Sequence, residues 1–177
     1  MKILSIDVGF RVCGYTVCQV RNLDVSLVRE GEIKPPHDAT LPQKLNYIFE
    51  TLLAEVEFHK PEALVVETLY SHHRHPTTMG LLAQVRGVIV LLAERAGLAF
   101  YEYAPTRARK SFLGKGNVNS FQVKKMAENV TGKEFLSIHT ADAFSLAVAF
   151  SHTQKLERLR ASLPQQLQEA LRGKHSH

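Results

Sequence analysis

Three carboxylates and one histidine stand at points in the chain where each could serve as a ligand. Asp7 follows the apolar run at residues 3–6, and Glu67 follows the apolar run at 64–66. His139 and Asp142 lie three residues apart at the start of an apolar helical pattern, a spacing that puts both on one helical face. Because Asp is disfavoured in strands and costly to bury alone, a carboxylate at a strand end either caps a turn or holds a cation.

The joint arrangement favours the cation. Ligands gather beyond the carboxyl ends of strands in open α/β sheets, so Asp7 and Glu67 converge if their strands are adjacent and parallel. Such oxygen ligands suit Mg²⁺ or Mn²⁺, and two ions roughly 4 Å apart can activate water and stabilise the leaving oxygen in phosphodiester hydrolysis. His139 would ligate one ion or assist the water. Taken singly, Asp7 could cap a turn, Glu67 could be a surface charge, and His139 and Asp142 could be N-caps. Together the four predict a metal-dependent nuclease.

Apolar periodicity predicts the elements that must position these residues. Strands are predicted at 2–8, 12–20, 24–33, 62–67 and 98–103, and helices at 41–58, 76–95, 119–130 and 139–154. Short connections make the first three strands antiparallel, and a helical crossover makes the fourth parallel to the first. The predicted fold is an α/β domain with a five-stranded mixed sheet, three strands antiparallel and two parallel, flanked by helices on both faces. Residues 1–154 form the predicted domain, and 155–177 a polar tail that is partly helical or disordered.

Composition narrows the class. The chain has 177 residues, of which 45% are hydrophobic and 22% charged, as in ordinary globular proteins. Its net charge of +5 favours polyanionic partners. We expect no apolar stretch long enough to span a bilayer and no signal peptide, and hence a cytoplasmic protein. Cys13 and Cys18 are predicted on opposite faces of one strand, as packed free thiols.

A basic segment supports a nucleic-acid partner. Residues 105–127 contain no Asp or Glu, and the six basic residues there are Arg107, Arg109, Lys110, Lys115, Lys124 and Lys125. Gly114 and Gly116 allow the backbone to approach phosphates closely. The segment therefore predicts DNA or RNA binding with strong salt dependence, the alternative being a solvated helix face.

The order of short motifs along residues 1–152 resembles the RuvC family of bacterial Holliday junction resolvases. These motifs are Ile6-Asp-Val-Gly9 with Gly14-Tyr15, Val66-Glu67, Gln84-Val-Arg-Gly87, Ala104-Pro-Thr106, Gly114-Lys-Gly116, Gln122-Val123 and His139-Thr-Ala-Asp142-Ala143. The resemblance implies an RNase H-like fold and a homodimeric, Mg²⁺-dependent endonuclease, with Mn²⁺ substituting. Such an enzyme makes paired symmetric nicks in four-way DNA junctions during recombination and repair. Carried over by position, its catalytic and metal-binding residues are Asp7, Glu67, His139 and Asp142; the family has Asp or His at the position of His139.

The resemblance also implies a DNA-binding set. It comprises Tyr70 (an aromatic shortly after the second carboxylate), Arg74, Arg107, Arg109, Lys110, Lys115, Asn117, Ser120, Gln122 and Lys124. Ser120 stands where the family often has a lysine, so either Lys115 or Lys124 supplies that charge or the cleavage rate is lower. The histidine-rich segment 72–75 has no match in the family and is either an exposed loop or a phosphate contact. By analogy, the protein partners would be the branch-migration proteins RuvA and RuvB.

Three alternatives stay open on sequence. A YqgF-like nuclease acting on structured RNA shares the opening Asp and the mixed sheet, but the long helix after Glu67 and the ending at 139–142 favour the resolvase. A sugar-kinase or actin-like ATPase would need a second glycine-rich phosphate loop and roughly twice the length. A non-catalytic junction-binding protein would keep the fold, and metal-dependent cleavage would exclude it.

Overall fold

The computed structural model describes residues 1–69 and 76–163. Its strands are β1 (Lys2–Asp7), β2 (Cys13–Arg21), β3 (Asp24–Ile33), β4 (Ala63–Glu67) and β5 (Ala99–Tyr103). Its helices are α1 (Leu41–His59), α2 (Pro76–Arg95), α3 (Pro105–Leu113), α4 (Ser120–Thr131) and α5 (Ile138–Ala161).

The five strands form one mixed sheet in the order β3-β2-β1-β4-β5. β1 pairs antiparallel with β2, which pairs antiparallel with β3 across a tight turn where Asn22 has a positive φ. β4 pairs parallel with both β1 and β5, because α1 and α2 carry the chain back before each strand begins. The predicted sheet of three antiparallel strands and two parallel ones is confirmed.

Each face of the sheet has its own apolar core. α1 and α2 cover one face, where Leu4 and Ile6 of β1 are buried, whereas α3, α4 and α5 cover the other, where Ile3 is buried. Cys13 and Cys18 are free, buried and on opposite faces, as their odd spacing predicts.

α5 is the central helix of its layer. Every residue from Thr140 to Ser151 is buried except Asp142. A helix that is apolar all round must be enclosed, and α5 lies between the sheet on one side and α3 and α4 on the other. Asp142 is therefore the polar exception on an otherwise buried surface.

Helix α3 and the end of helix α5 differ from the sequence-based expectation. α3 was not predicted, because three of its nine residues are basic and only Ala108 and Phe112 are buried, too few for a clear period. Its signals were Pro105 in the first turn and Gly114 just past the end, where φ is +76°. α5 runs to Ala161, so the predicted domain boundary at 154 falls inside a helix; residues 164–177 lie outside the described part of the chain.

α2 corrects the expectation that the chain has no stretch able to span a bilayer. Within residues 1–69 and 76–163 it is the one helix long and apolar enough, by length and composition alone, to do so. Its second half contributes Val85, Ile89, Leu92 and Ala93 to the core between α1 and the sheet, while 28% of its apolar window is buried.

Candidate active site

Asp7 and Glu67 lie next to each other at one edge of the sheet. β1 and β4 are parallel, with Ile6 opposite Val66, so the residue that follows each comes at the same level. Since side chains alternate along strands, both carboxylates point away from the core under α1 and α2, towards the face covered by α5. The predicted convergence of the two strand ends is thus present in the sheet.

Gly14 brings α5 against this edge. It pairs directly with Asp7, and a Cβ at Gly14 would lie 2.3 Å from the carbonyl carbon of His139 and 2.7 Å from its Cβ. A Cβ atom essentially never lies within 3.0 Å of a backbone atom that is not bonded to it. Only glycine at position 14 therefore allows the first turn of α5 to lie there. The result is that Nδ1 of His139 lies 2.8 Å from Oδ2 of Asp7.

The start of α5 is fixed by its own cap. Ser137 is the N-cap residue, and its hydroxyl accepts hydrogen bonds from the backbone N–H groups of His139 and Thr140. The backbone carbonyl of Asp142 accepts a hydrogen bond from Ser145 at 2.7 Å. His139 and Asp142 therefore stand one turn apart on a rigid helix end, on the face that looks at Asp7 and Glu67.

Asp142 is held by side chains from α3 and α4. The hydroxyl of Ser120 donates to its Oδ2 at 2.6 Å, and Nη2 of Arg109 lies 3.5 Å from its Oδ1. Arg109 is itself oriented by hydrogen bonds to the carbonyl of Val118 (2.9 Å) and to Ser120 (3.1 Å). Among residues 1–69 and 76–163, Arg109 is the arginine or lysine that forms an ion pair with the acidic cluster, while Lys124 pairs with Glu128 on its own helix.

Three partly buried carboxylates, Asp7, Glu67 and Asp142, share the site with Arg109 and His139. Burial, followed by the charges of Asp7 and Asp142, raises the pKa of Glu67 to about 8, although Arg109 acts in the opposite sense. Burial likewise raises the pKa of Asp142, opposed by the hydrogen bond from Ser120. The hydrogen bond to Asp7 raises the pKa of His139. Such mutual perturbation of clustered carboxylates is typical of functional sites.

The donor types fit a divalent cation, but the side chains are not arranged around one point. Among residues 1–69 and 76–163, no three His, Cys, Asp or Glu side chains form a group that could hold a metal ion as they stand. Asp7 is bonded to His139 and Asp142 to Ser120, which accounts for their separate orientations. The three carboxylates are ligands that Mg²⁺ and Mn²⁺ accept, the imidazole suits Mn²⁺ better, and a bound cation would favour the charged form of Glu67 and so lower its raised pKa.

Glu32 is a carboxylate near this site that the sequence analysis missed. It pairs with Gly14 from β3, so Asp7 and Glu32 flank Gly14 in one row across three strands. Burial alone would raise the pKa of Glu32, but Lys34, the Ser137 hydroxyl and the charge of His139 together hold it below its ordinary value. The register of the antiparallel strands β2 and β3, which puts Glu32 opposite Gly14, was the sequence signal that could have identified Glu32.

The remaining predicted DNA-binding residues fall into three groups. Tyr70 and Arg74 lie outside the described residues, as does the segment 72–75. Exposed side chains on or after α3 are Arg107, Lys110, Lys115 and Asn117. Arg107 reaches the hydroxyl of Thr153 and lies over the ring of Tyr103, so part of its surface is already engaged.

The third group makes contacts within the chain. Arg109, Ser120 and Lys124 do so as described above, and the side-chain oxygen of Gln122 accepts from the backbone N–H of Asn119 in the capping box of α4. The structure therefore gives Gln122 a helix-capping role, and it gives Arg109 and Ser120 a place at the acidic cluster.

A mixed sheet of this order, with carboxylates ending β1 and β4 and a helix bringing two more ligands over them, defines an RNase H-like nuclease. Comparison with known proteins narrows the class further. The family model described as "Crossover junction endodeoxyribonuclease RuvC" matches residues 3–152. The chain belongs to the RuvC family.

Curated relatives and solved structures agree with that membership. The RuvC of Heliobacterium modesticaldum is 32% identical over 155 residues, covering 86% of this chain and 95% of the relative. The RuvC of Chlamydia muridarum is 32% identical over 166 residues, covering 91% and 97%. The structure of Thermus thermophilus RuvC with a Holliday junction substrate matches with a TM-score of 0.81 at 22% identity, covering 89% of this chain and 96% of that one. The structural match confirms the RNase H-like fold.

Proposed function

We propose that the chain resolves four-way DNA junctions, making paired symmetric nicks by metal-dependent phosphodiester hydrolysis that leaves 5′-phosphates. Family membership supports the reaction class. The structural observation that supports the proposal is the convergence of Glu67, Asp7 and Asp142 at one sheet edge, where burial first, and then the charges of Asp7 and Asp142, raise the pKa of Glu67 to about 8. A protein with no use for a cation at this edge would gain stability by losing one of these carboxylates.

In the proposed site, Asp7, Glu67, His139 and Asp142 hold two Mg²⁺ ions, for which Mn²⁺ substitutes. Bound there, the ions supply charge for activating the attacking water and stabilising the leaving oxygen. Asp7 would be the central carboxylate of this set, because it lies between Glu67 on β4 and Gly14 on β2, beneath the start of α5.

The chain's own side chains position these groups. Since Nδ1 of His139 faces Asp7, Nε2 is the ring nitrogen left either to ligate an ion or to accept a proton from the attacking water. Ser120 and Arg109 fix the orientation of Asp142 from the far side of the cluster. Arg109 also places a positive charge beside the carboxylate cluster, where it would stabilise charge on a phosphate bound there.

A homodimer with two such sites suits a substrate with twofold symmetry. The surface proposed for that contact is on α2, whose second half packs on the sheet while much of its remaining apolar surface stays open. Leu91 is 53% exposed, and Met79, Leu81 and Leu82 are half-buried. Cytoplasmic localisation and RuvA and RuvB as partners are proposed from the family alone.

The test compares a synthetic mobile four-way junction with linear duplex, single strand and structured RNA, each with Mg²⁺, with Mn²⁺ and with EDTA. Asp7→Asn is the variant expected to be inactive. Asp24→Asn is the matched control, because Asp24 begins β3 at the end of the sheet far from Asp7. We expect symmetric, ligatable nicks in the junction alone, absent in EDTA and in Asp7→Asn. Junction binding without cleavage in either metal would instead indicate the non-catalytic alternative, and unselective RNA cleavage the YqgF-like one.

A further inference from the structure

A cavity lined by basic side chains lies beside the candidate active site. Its volume is about 360 Å³, and its lining residues are Phe10, Arg11, Pro35, His37 and Lys44. None of the five is acidic, two carry a full positive charge, and one is a histidine. We refer to it as the Arg11 cavity.

The topology puts the Arg11 cavity at the same sheet edge as the carboxylates. Phe10 and Arg11 follow Asp7 in the turn between β1 and β2, and Pro35 follows the last residue of β3, Ile33. Lys44 stands in the first turn of α1, on the sheet face opposite α3, α4 and α5. The cavity and the basic helices α3 and α4 therefore lie on opposite sides of the edge that carries Asp7 and Glu67.

Lys44 is held in place rather than free in solvent. Its ammonium donates to the carbonyl of His37 at 2.9 Å and lies 5.4 Å from the centre of the Phe10 ring. A lysine in the first turn is unfavourable for the helix dipole, and α1 has no acidic residue in that turn to offset it. An anion bound in the cavity would offset both the lysine and the positive helix end.

Arg11 supplies the second fixed charge. Its side chain is exposed, and within residues 1–69 and 76–163 it makes no hydrogen bond or ion pair. The nearby acidic residue Asp38 lines a separate groove with Pro42 and Tyr47, and within the described residues it forms no ion pair with Arg11 or Lys44. Two unbalanced cations around a concave surface are the features that recognise a phosphate.

We propose that the Arg11 cavity binds a backbone phosphate of the cleaved DNA strand, beside the scissile phosphate. The inference rests on the proposed function for its ligand. It adds a second anchoring point, on the α1 side of the sheet edge, to the basic residues of α3 and α4. With the strand held on both sides of Asp7 and Glu67, the scissile phosphate is positioned between two electrostatic contacts.

The test measures binding of a fluorescent four-way junction in EDTA, between 50 and 200 mM salt, for wild type, Arg11→Gln, Lys44→Gln and Lys60→Gln. Lys60 is the matched control, because it is an exposed lysine at the opposite end of α1. We expect each cavity variant to raise Kd about five- to tenfold and to reduce the salt slope by about 1, as loss of one phosphate contact does. Lys60→Gln should match wild type, and melting curves should show all four proteins folded.

A second measurement identifies the ligand as a phosphate. Single methylphosphonate linkages, which remove the phosphate charge, are scanned along the strand on both sides of the cleavage position. At one linkage, the effects of the methylphosphonate and of Arg11→Gln on the free energy of junction binding should be less than additive. Strict additivity at every linkage, or cavity variants that bind like Lys60→Gln, would overturn the proposal. A wild type that binds normally but never nicks would refute the proposed function alone, since the cavity is judged by binding.

Discussion

The imidazole Nδ1 of His139 lies 2.8 Å from Oδ2 of Asp7, a contact between residues 132 positions apart in the chain. One comes from the end of the first strand and the other from the first turn of the last helix. The contact fixes which ring nitrogen faces the carboxylates and which faces outward. It also ties the two ends of the domain together at the one place where chemistry is proposed.

The role of His139 can be tested by two substitutions. His139→Ala should lower the single-turnover rate of junction cleavage about 100-fold or more, because it removes the ring nitrogen that either ligates an ion or accepts the proton of the attacking water. His139→Asp should retain much more activity, because the family accepts Asp at this position. Equal losses for both variants would mean that the imidazole has a role that no carboxylate can fill.

Gly14→Ala should damage both stability and activity. The added methyl group would lie 2.3 Å from backbone atoms of His139, so the start of α5 must move away from Asp7. We expect a loss of roughly 1–3 kcal/mol in the free energy of unfolding, measured by urea titration. Gly80→Ala is the control, since no atom lies within 4 Å of a Cβ there and alanine favours a helix. A Gly14→Ala protein of wild-type stability would contradict the close approach.

Arg109 should matter for the chemical step more than its neighbour Arg107 does. Arg109→Gln removes the charge and the hydrogen bonds that orient Asp142, and losses of about 10- to 100-fold are usual for such supporting residues. Arg107→Gln, two positions away on the same helix, should change the rate little once enzyme saturates the junction. Ser120→Ala should not add fully to Arg109→Gln, because the two side chains share one network. Full additivity would show that they act separately.

The stability of the metal-free protein should fall as pH rises from about 4.5 to about 8. Folded Glu67 keeps its proton up to about pH 8, whereas the unfolded chain releases it near 4.5, so the folded state binds more protons in this window. Glu67→Gln should flatten the decline in a chemical denaturation series, and Glu57→Gln, at an exposed position on α1, should not. Mg²⁺ should raise Tm more at pH 8 than at pH 6, because metal binding displaces the proton. A pH-independent Mg²⁺ effect would argue against Glu67 as a ligand.

The α2 contact predicts the oligomeric state. Wild type should sediment as a dimer, and Leu91→Glu should shift it to monomer, because the substitution puts a charge on the apolar surface left open by the sheet. Phe58→Glu, at an 82% exposed position on α1, is the control for an added surface charge and should remain a dimer. Dimers that persist in Leu91→Glu would place the contact elsewhere.

Much of the fold follows from local pattern. Alternating or continuous apolar runs bounded by turns predicted all five strands, and short connections against helical crossovers predicted their directions. The same pattern failed for α3, where Ala108 and Phe112 are the only buried side chains on a basic helix. A nine-residue helix with two buried positions is stabilised by packing on α5, which no local period reveals.

The sequence by itself determined which residues could form the site, because residue type and position at element ends are local properties. It placed Asp7 and Glu67 at strand ends and His139 and Asp142 on one helical face. Only the tertiary structure decided how they are held. The first turn of α5 packs on Gly14, Arg109 forms an ion pair with Asp142, and Glu32 lies beside Gly14 in the sheet. These contacts join residues from different helices and strands. They depend on sheet register and on how the helices pack on the sheet, which no local stretch of sequence determines.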